Sequence, residues 1–122
     1  MAVKTDHLGA GAFIKSEANG DLSREAIVIV SGSGKLLAGT VLGKITASGK
    51  YKPYDNDNAD GSQTAAAILV YDVDATSADV TTVGIVRLAE VWTNRLQWAA
   101  SVLTGEKAPA YTELATALVI VR

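Results

Sequence analysis

The chain has no cysteine, one histidine, one methionine and one phenylalanine. Without thiols there is no disulfide framework and no thiolate metal site, and a reducing compartment is tolerated. The lone His7 has no cysteine to pair with. It also falls in a glycine-containing opening segment that offers no rigid seat for a Ser–His–Asp arrangement. Positive charge is scarce too. Eleven Lys and Arg stand against 13 Asp and Glu, a formal net charge of −2. That balance provides no basic field for phosphates and argues against nucleic acid as a partner. No apolar run approaches the roughly 20 residues that span a bilayer. The longest, residues 65–71, is strand-sized, and the opening residues lack the apolar stretch of a secretory signal. The expectation is a soluble protein with no membrane partner.

What is present fits one domain, since 122 residues can bury one modest core. Apolar residues make up 48% and charged ones 20%, with a mean hydropathy of +0.20. This is slightly apolar for a small solitary domain, whose surface must largely face water. An oligomer interface accounts for the excess, although abundant alanine also inflates the count.

Residues 1–22 mix glycine, serine, asparagine and scattered charges without a sustained period, and read as an arm. The pattern then changes. Ala26-Ile27-Val28-Ile29-Val30 is a β-branched run closed by Ser31-Gly32-Ser33-Gly34. Residues 39–45 form a second strand, in which Gly39 and Gly43 signal a bulge or close backbone approach. A turn over 47–50 leads to a short strand over 51–54, where Pro53 demands an edge or an end. Residues 55–62 are a polar loop. Residues 66–73 and 80–91 read as a strong hairpin, the second strand bent around Gly84. Tyr111, Leu114, Ala115 and Leu118 recur at helical spacing, with Pro109 in the first turn. Val119-Ile120-Val121 ends the sequence as a strand.

Reactive constellations fail one by one. Ser33-Gly34-Lys35-Leu36 and Gly43-Lys44-Ile45 lack the glycine spacing and the following hydroxyl of a phosphate loop. The acids Asp55, Asp57 and Asp60 imitate a calcium loop, but Ala59, Asp60 and Ala66 occupy the places of an oxygen ligand, the glycine and the bidentate glutamate. Asp72 and Asp74 share one strand face, yet no sugar cleft accompanies them. Lys44 and Lys50 do not sit as a carrier-domain lysine does. Trp92 and Trp98 suit core packing or a subunit contact better than a ligand platform. No catalytic, cofactor or metal residue is therefore assigned, and an enzyme is not expected.

One family does match these residues. Ala38-Gly39-Thr40-Val41-Leu42-Gly43-Lys44-Ile45 leading to Tyr51-Lys52-Pro53, then Asp60-Gly61-Ser62-Gln63-Thr64-Ala65-Ala66, resembles the core of the lambda-type phage head decoration proteins. Ser23-Arg24-Glu25 before the first strand and the Val119-Ile120-Val121-Arg122 ending extend the resemblance over nearly the whole chain. It implies a mainly β fold with a short C-terminal helix (α+β), a small compact mixed β domain of the β-tulip-like type. It also implies a flexible, capsid-binding arm over 1–22 and a decoration domain over 23–122. The function implied is that of a structural virion protein. It would act as a homotrimer on the exterior of the expanded capsid, at three-fold and quasi-three-fold positions. There it would bind the major capsid protein and stabilise the shell against packaged DNA, after synthesis in the host cytoplasm. Leu8, Phe13 and Ile14 are the expected arm anchors, and Trp92 and Trp98 the candidate subunit-interface residues. A glycine is expected in relatives near the helix exit, where this protein has Leu118. The alternative is a small β-rich module that binds a glycan or protein through the tryptophans and the 55–61 loop.

Overall fold

The computed structural model describes residues 9–122. Ten strands and one α-helix occur among them, so the protein is mainly β with one short helix near its C-terminal end. In order the strands are β1 (Ile14–Glu17), β2 (Arg24–Ile29), β3 (Gly34–Leu36), β4 (Val41–Lys44), β5 (Tyr51–Pro53), β6 (Ala65–Leu69), β7 (Val73–Ala75), β8 (Val80–Ile85), β9 (Ala89–Val91) and β10 (Val119–Val121). A one-turn 3-10 helix covers Thr93–Arg95, and helix α1 covers Thr104–Thr116.

Strands β2, β5, β4, β6 and β8 close into a small barrel. The closure is the short parallel contact of β2 with β5, where Ile29 faces Tyr51 and Val30 N–H donates to Tyr51 O at 2.9 Å. Closing a sheet removes its open edges. A separate three-stranded sheet runs β1-β9-β10, and β3 pairs with β7 in a ribbon.

Strand β6 divides the interior. Ala67 and Leu69 join Ile27, Ile29, Leu42, Tyr51 and Ala75 inside the barrel. Ala65, Ile68 and Val70 face the opposite core, which α1 covers with Ala110 and Leu114. A register shift lies between Leu42 and Gly43 where β4 pairs β6. It lets Ala66 and Ala67 both turn toward the barrel side, as an inserted bulge residue does. Gly43 is required here, because a Cβ at that position would overlap the Ser62 backbone. The glycine-marked strand thus has the close approach anticipated for it.

Other expectations change. The strand expected over 66–73 stops at Leu69. β7 leaves to pair with β3 before the backbone returns as β8. The contact expected of a hairpin survives as antiparallel pairing of Ile68 with Ile85 and Leu69 with Gly84. The single strand expected over 80–91, bent around Gly84, is instead broken at residues 86–88, where Leu88 takes φ 55 and β9 enters the other sheet. Gly84 has a different reason, since a Cβ there would lie 2.7 Å from Ile27 Cδ1.

The helix begins earlier than its periodicity indicates. Glu106 Oε1 accepts the Leu103 N–H at 3.2 Å, tying down the N-terminus. The Tyr54 hydroxyl donates to Glu106 O at 3.0 Å, and Glu113 Oε1 accepts the Ala65 N–H at 2.8 Å, which docks the helix on β6. Ala115 is exposed, and Leu118 lies beyond the helix. Pro109 sits inside it, so no N–H reaches the Gly105 carbonyl. Both residues are exposed, so that carbonyl is open to solvent. Pro109→Ala restores the missing bond without touching the core. It should raise the unfolding free energy by roughly 1–2 kcal/mol, part of the ~3 kcal/mol interior proline penalty being offset by greater freedom in the unfolded state. Denaturant unfolding checks this, and an unchanged or lower midpoint would refute it.

Candidate docking surface

The expected anchors take different places. Leu8 lies outside the described residues. Phe13, expected as an anchor offered to a coat subunit, is 1% exposed and belongs to the helix-side core. It is the one phenylalanine available, and the core takes it because burial of such a ring is worth about 1.5–3 kcal/mol. Ile14 pairs with Val91 and is half-buried against the same core. Gly11 N–H donates to Val70 O at 3.0 Å, Trp92 N–H to Phe13 O at 2.8 Å, and Arg95 to Ala12 O at 3.1 Å. Ser23, at the expected domain boundary, is fully buried. It accepts the Ala18 N–H and donates to Leu88 O. From Gly11 onward the opening segment is therefore woven into the body, and no seam separates it from residue 23.

The two tryptophans do not share a surface. Trp98 packs edge-on against Tyr54 and Tyr111, at ring distances of 6.1 and 5.8 Å, with Lys107 Nζ 5.4 Å from its centroid. Its contacts are internal. Trp92 is 37% exposed and lies between Lys15, at 5.4 Å, and Arg95, at 5.8 Å. Each such cation contact is worth roughly 0.5–1 kcal/mol at an exposed site. Both cations neighbour the indole close to where residues 11–13 join the fold, since Trp92 N–H donates to Phe13 O.

A second surface was not anticipated as a site. Leu88 and Leu118 both take left-handed backbone, with φ 55 and 64. They are neighbours through Leu88 N–H to Ala117 O and Ala89 N–H to Leu118 O, at 3.3 and 3.1 Å. With Ala18 and Ile120 they line a shallow groove of about 340 Å³. Leu118 is 57% exposed, and Leu22, which precedes the Ser23 that donates to Leu88 O, is 53% exposed. The only sequence signal was Leu118 at the helix exit, where a left-handed residue suits glycine. Nothing in the periodicity of 80–91 marked Leu88.

Among the described residues most charges around this surface are paired, the exposed Asp21 beside Leu22 being the exception. Arg24 grips Glu17 through two bonds of 2.9 and 2.8 Å, which holds the Glu17 carboxyl below its usual range. Glu90 meets Lys15 and Arg122, and Glu25 meets Arg87.

The acids of the 55–61 loop tie the loop to itself and to its neighbours. Asp55 accepts the Asp57 N–H and the Ser101 hydroxyl. Asp60 accepts from the Ser62 N–H and hydroxyl and from Lys52. These bonds, led by the Ser62 hydroxyl, lower the Asp60 carboxyl to about 2. Asp72 accepts the Ala38 N–H at 2.7 Å, and Asp74 accepts from Thr76. No group of three His, Cys, Asp or Glu residues able to hold a metal occurs among the described residues. No helix among them is long and apolar enough to cross a membrane.

Two tests follow from this geometry. At position 118, glycine should give a more stable protein than isoleucine by about 1–2 kcal/mol. Isoleucine keeps the apolar bulk but resists positive φ. Chemical denaturation of the two variants decides it, and an isoleucine variant equal to glycine would show that burial rather than backbone governs the site. The second test is acid. A carboxyl whose folded value is depressed stabilises the fold above its unfolded value, near 4, and loses that contribution as pH falls through the folded value. Melting temperature should therefore drop between about pH 4 and 2, and less steeply in Asp60→Asn, which starts lower at neutral pH. Parallel melting curves across that range would refute the role of Asp60.

No curated protein matches the sequence. The family model described as bacteriophage lambda head decoration protein D matches residues 3–119, nearly the full length. That match takes in both buried cores and the barrel, and with it the chain belongs to the phage head decoration family, a family of structural capsid proteins.

Proposed function

We propose that this protein is a cement for the outside of an expanded phage capsid. It acts as a trimer at three-fold and quasi-three-fold positions and holds neighbouring major capsid subunits against the pressure of packaged DNA. The family supplies the capsid association. The observation that carries the rest is where the fold begins. The described body is complete from Gly11 onward, with Phe13 sealed in its core.

The proposal therefore assigns coat contact to residues 1–10, with Leu8 as an anchor and Ile14, Lys15 and Trp92 as the shoulder against which the contact is made. A segment that adds strand hydrogen bonds to a coat subunit would work by β-augmentation. Self-association is assigned to the Leu22, Leu88 and Leu118 surface. Apart from the exposed Asp21, its charges are met in pairs, which limits like-charge repulsion between identical copies. Trp98, occupied by Tyr54 and Tyr111, is left to packing. The glycan-binding alternative gains nothing, because the tryptophans stand in separate clusters.

The test compares the full-length protein with two truncations on expanded, undecorated particles. Removing residues 1–8 should leave the melting temperature within a few degrees and lower apparent capsid affinity by roughly 100-fold or more, since three linked contacts are lost at once. Removing residues 1–22 should also destabilise the body, because a buried phenylalanine alone is worth about 3–5 kcal/mol when truncated. Full-length protein should sediment as a trimer, and Leu118→Gly as a more weakly associating species. Undiminished binding without residues 1–8 would overturn the arm, and a persistent monomer would overturn the trimer.

A further inference from the structure

Two dipeptides in this sequence place glycine after an acid or amide residue, Asn19-Gly20 and Asp60-Gly61. Both invite the same chemistry, attack by the glycine backbone nitrogen on Cγ of the preceding residue. The structure treats them oppositely.

Gly61 is clamped. Its N–H donates to Gln63 Oε1 at 2.7 Å, and the space where a Cβ would sit is filled by Thr46 and the Lys44 carbonyl. The Asp60 carboxylate is held by Ser62 and Lys52. Asn19-Gly20 is open. Asn19, Gly20, Asp21 and Leu22 are all exposed at the tip joining β1 to β2. Among the described residues neither the Asn19 amide group nor the Gly20 N–H has a hydrogen-bond partner. Gly20 takes φ 67, and nothing lies within 4 Å of where its Cβ would be. Glycine alone leaves the attacking nitrogen unshielded and free to turn.

We propose that Asn19-Gly20 is a spontaneous deamidation site, which with time writes a negative charge beside the Leu22, Leu88 and Leu118 surface. The Gly20 nitrogen, having lost its proton to base, bonds to Asn19 Cγ. The bond from Cγ to Nδ2 breaks, and Nδ2 leaves as ammonia. Water then opens the five-membered imide at one of its two carbonyls. One opening gives aspartate. The other gives isoaspartate, whose backbone runs through Cβ and Cγ and is longer by one methylene. Ala18, the preceding residue, is pinned by its N–H to Ser23 Oγ and Leu88 O at 2.9 and 3.2 Å. Lengthening the backbone beside that anchor strains the link between the opening segment and β9. The effect on association rests on the surface assigned above; the chemistry does not.

The test is incubation of intact protein at mildly alkaline and mildly acidic pH, followed by tryptic mapping. Cleavage after Lys15 and Arg24 isolates residues 16–24 in one peptide. That peptide should gain about 1 Da and split into aspartate and isoaspartate forms. Conversion should be faster at alkaline pH and at least roughly tenfold faster than at Asn56, Asn58 or Asn94, none of which precedes glycine. Asn19→Ser should abolish the change. An unmodified peptide, or isomerisation at Asp60 outpacing it, would overturn the site. Asn19→Asp carries the charge from the start and should associate more weakly than wild type in sedimentation. An equal association constant would overturn the effect on the surface, whatever the peptide map shows.

Discussion

Everything in this fold depends on one strand being buried on both sides. β6 sends Ala67 and Leu69 into the barrel and Ala65 and Ile68 toward the helix, where Val70, just past its end, joins them. A strand in that position has limited room on each face: three of its five residues are alanine, and Ile68 and Leu69 place one large side chain in each core. It must also be approached closely by its neighbours. Gly43 lets the Ser62 backbone press against β4, and Gly39 lets its own N–H reach Leu69 O while the Arg95 carbonyl crosses at short range. The barrel closes and the helix docks because small residues stand at the crossings. The larger residues, Leu42, Ile29, Tyr51 and Tyr54, then fill the volumes on either side.

The local signals that survived folding were those set by backbone chemistry. The glycines of 39–43, the Pro53 strand end and the polar 55–62 loop behave as steric and hydrogen-bonding rules require, whatever surrounds them. The errors were tertiary. Residues 66–73 are mostly apolar, so no change of period announces that Leu69 ends one strand and Val73 begins another in a different sheet. The 80–91 run conceals the left-handed Leu88 for the same reason, since leucine is not a residue that marks a turn. Pro109 was placed by rule at the helix start. The helix instead begins at Thr104, where its own Glu106 caps the first turn and Tyr54 holds that turn from the end of β5. The docking surface was legible only in part. Phe13 looked like an anchor because it stood in a glycine-rich segment, and composition cannot reveal that β9 would reach across to pair with that segment.

The strained leucines suggest why the surface is not optimised for a solitary subunit. A leucine in left-handed backbone costs about 1–2 kcal/mol relative to the normal helical conformation. At Leu118 that cost is not returned by burial within the subunit, because more than half of the residue faces solvent. Strain of this kind persists where surrounding structure fixes it and where another need is served. The proposed subunit contact would meet such a need, and an exposed apolar residue there fits the apolar excess in the composition.

The way the opening segment is incorporated also changes the energetics of attachment. Ordering backbone costs about 1–2 kcal/mol per residue. A free arm of 22 residues would oppose its own docking by tens of kcal/mol, far beyond what a few apolar anchors return at about 1.5–3 kcal/mol each. Folding residues 11–22 into the body removes roughly half of that opposition before any partner arrives. The cost is met once, during folding, by Phe13, by the β1–β9 ladder and by the bidentate Arg24–Glu17 pair. On the proposed reading, what is left for attachment is only the short stretch that precedes Gly11, with Trp92 and its neighbouring cations as the shoulder. Short segments bind weakly one at a time, and linking several copies raises their effective concentration without any new contact. A cement built this way would be selective for geometry. It would hold tightly only to a lattice that presents several docking sites at the spacing its own assembly fixes.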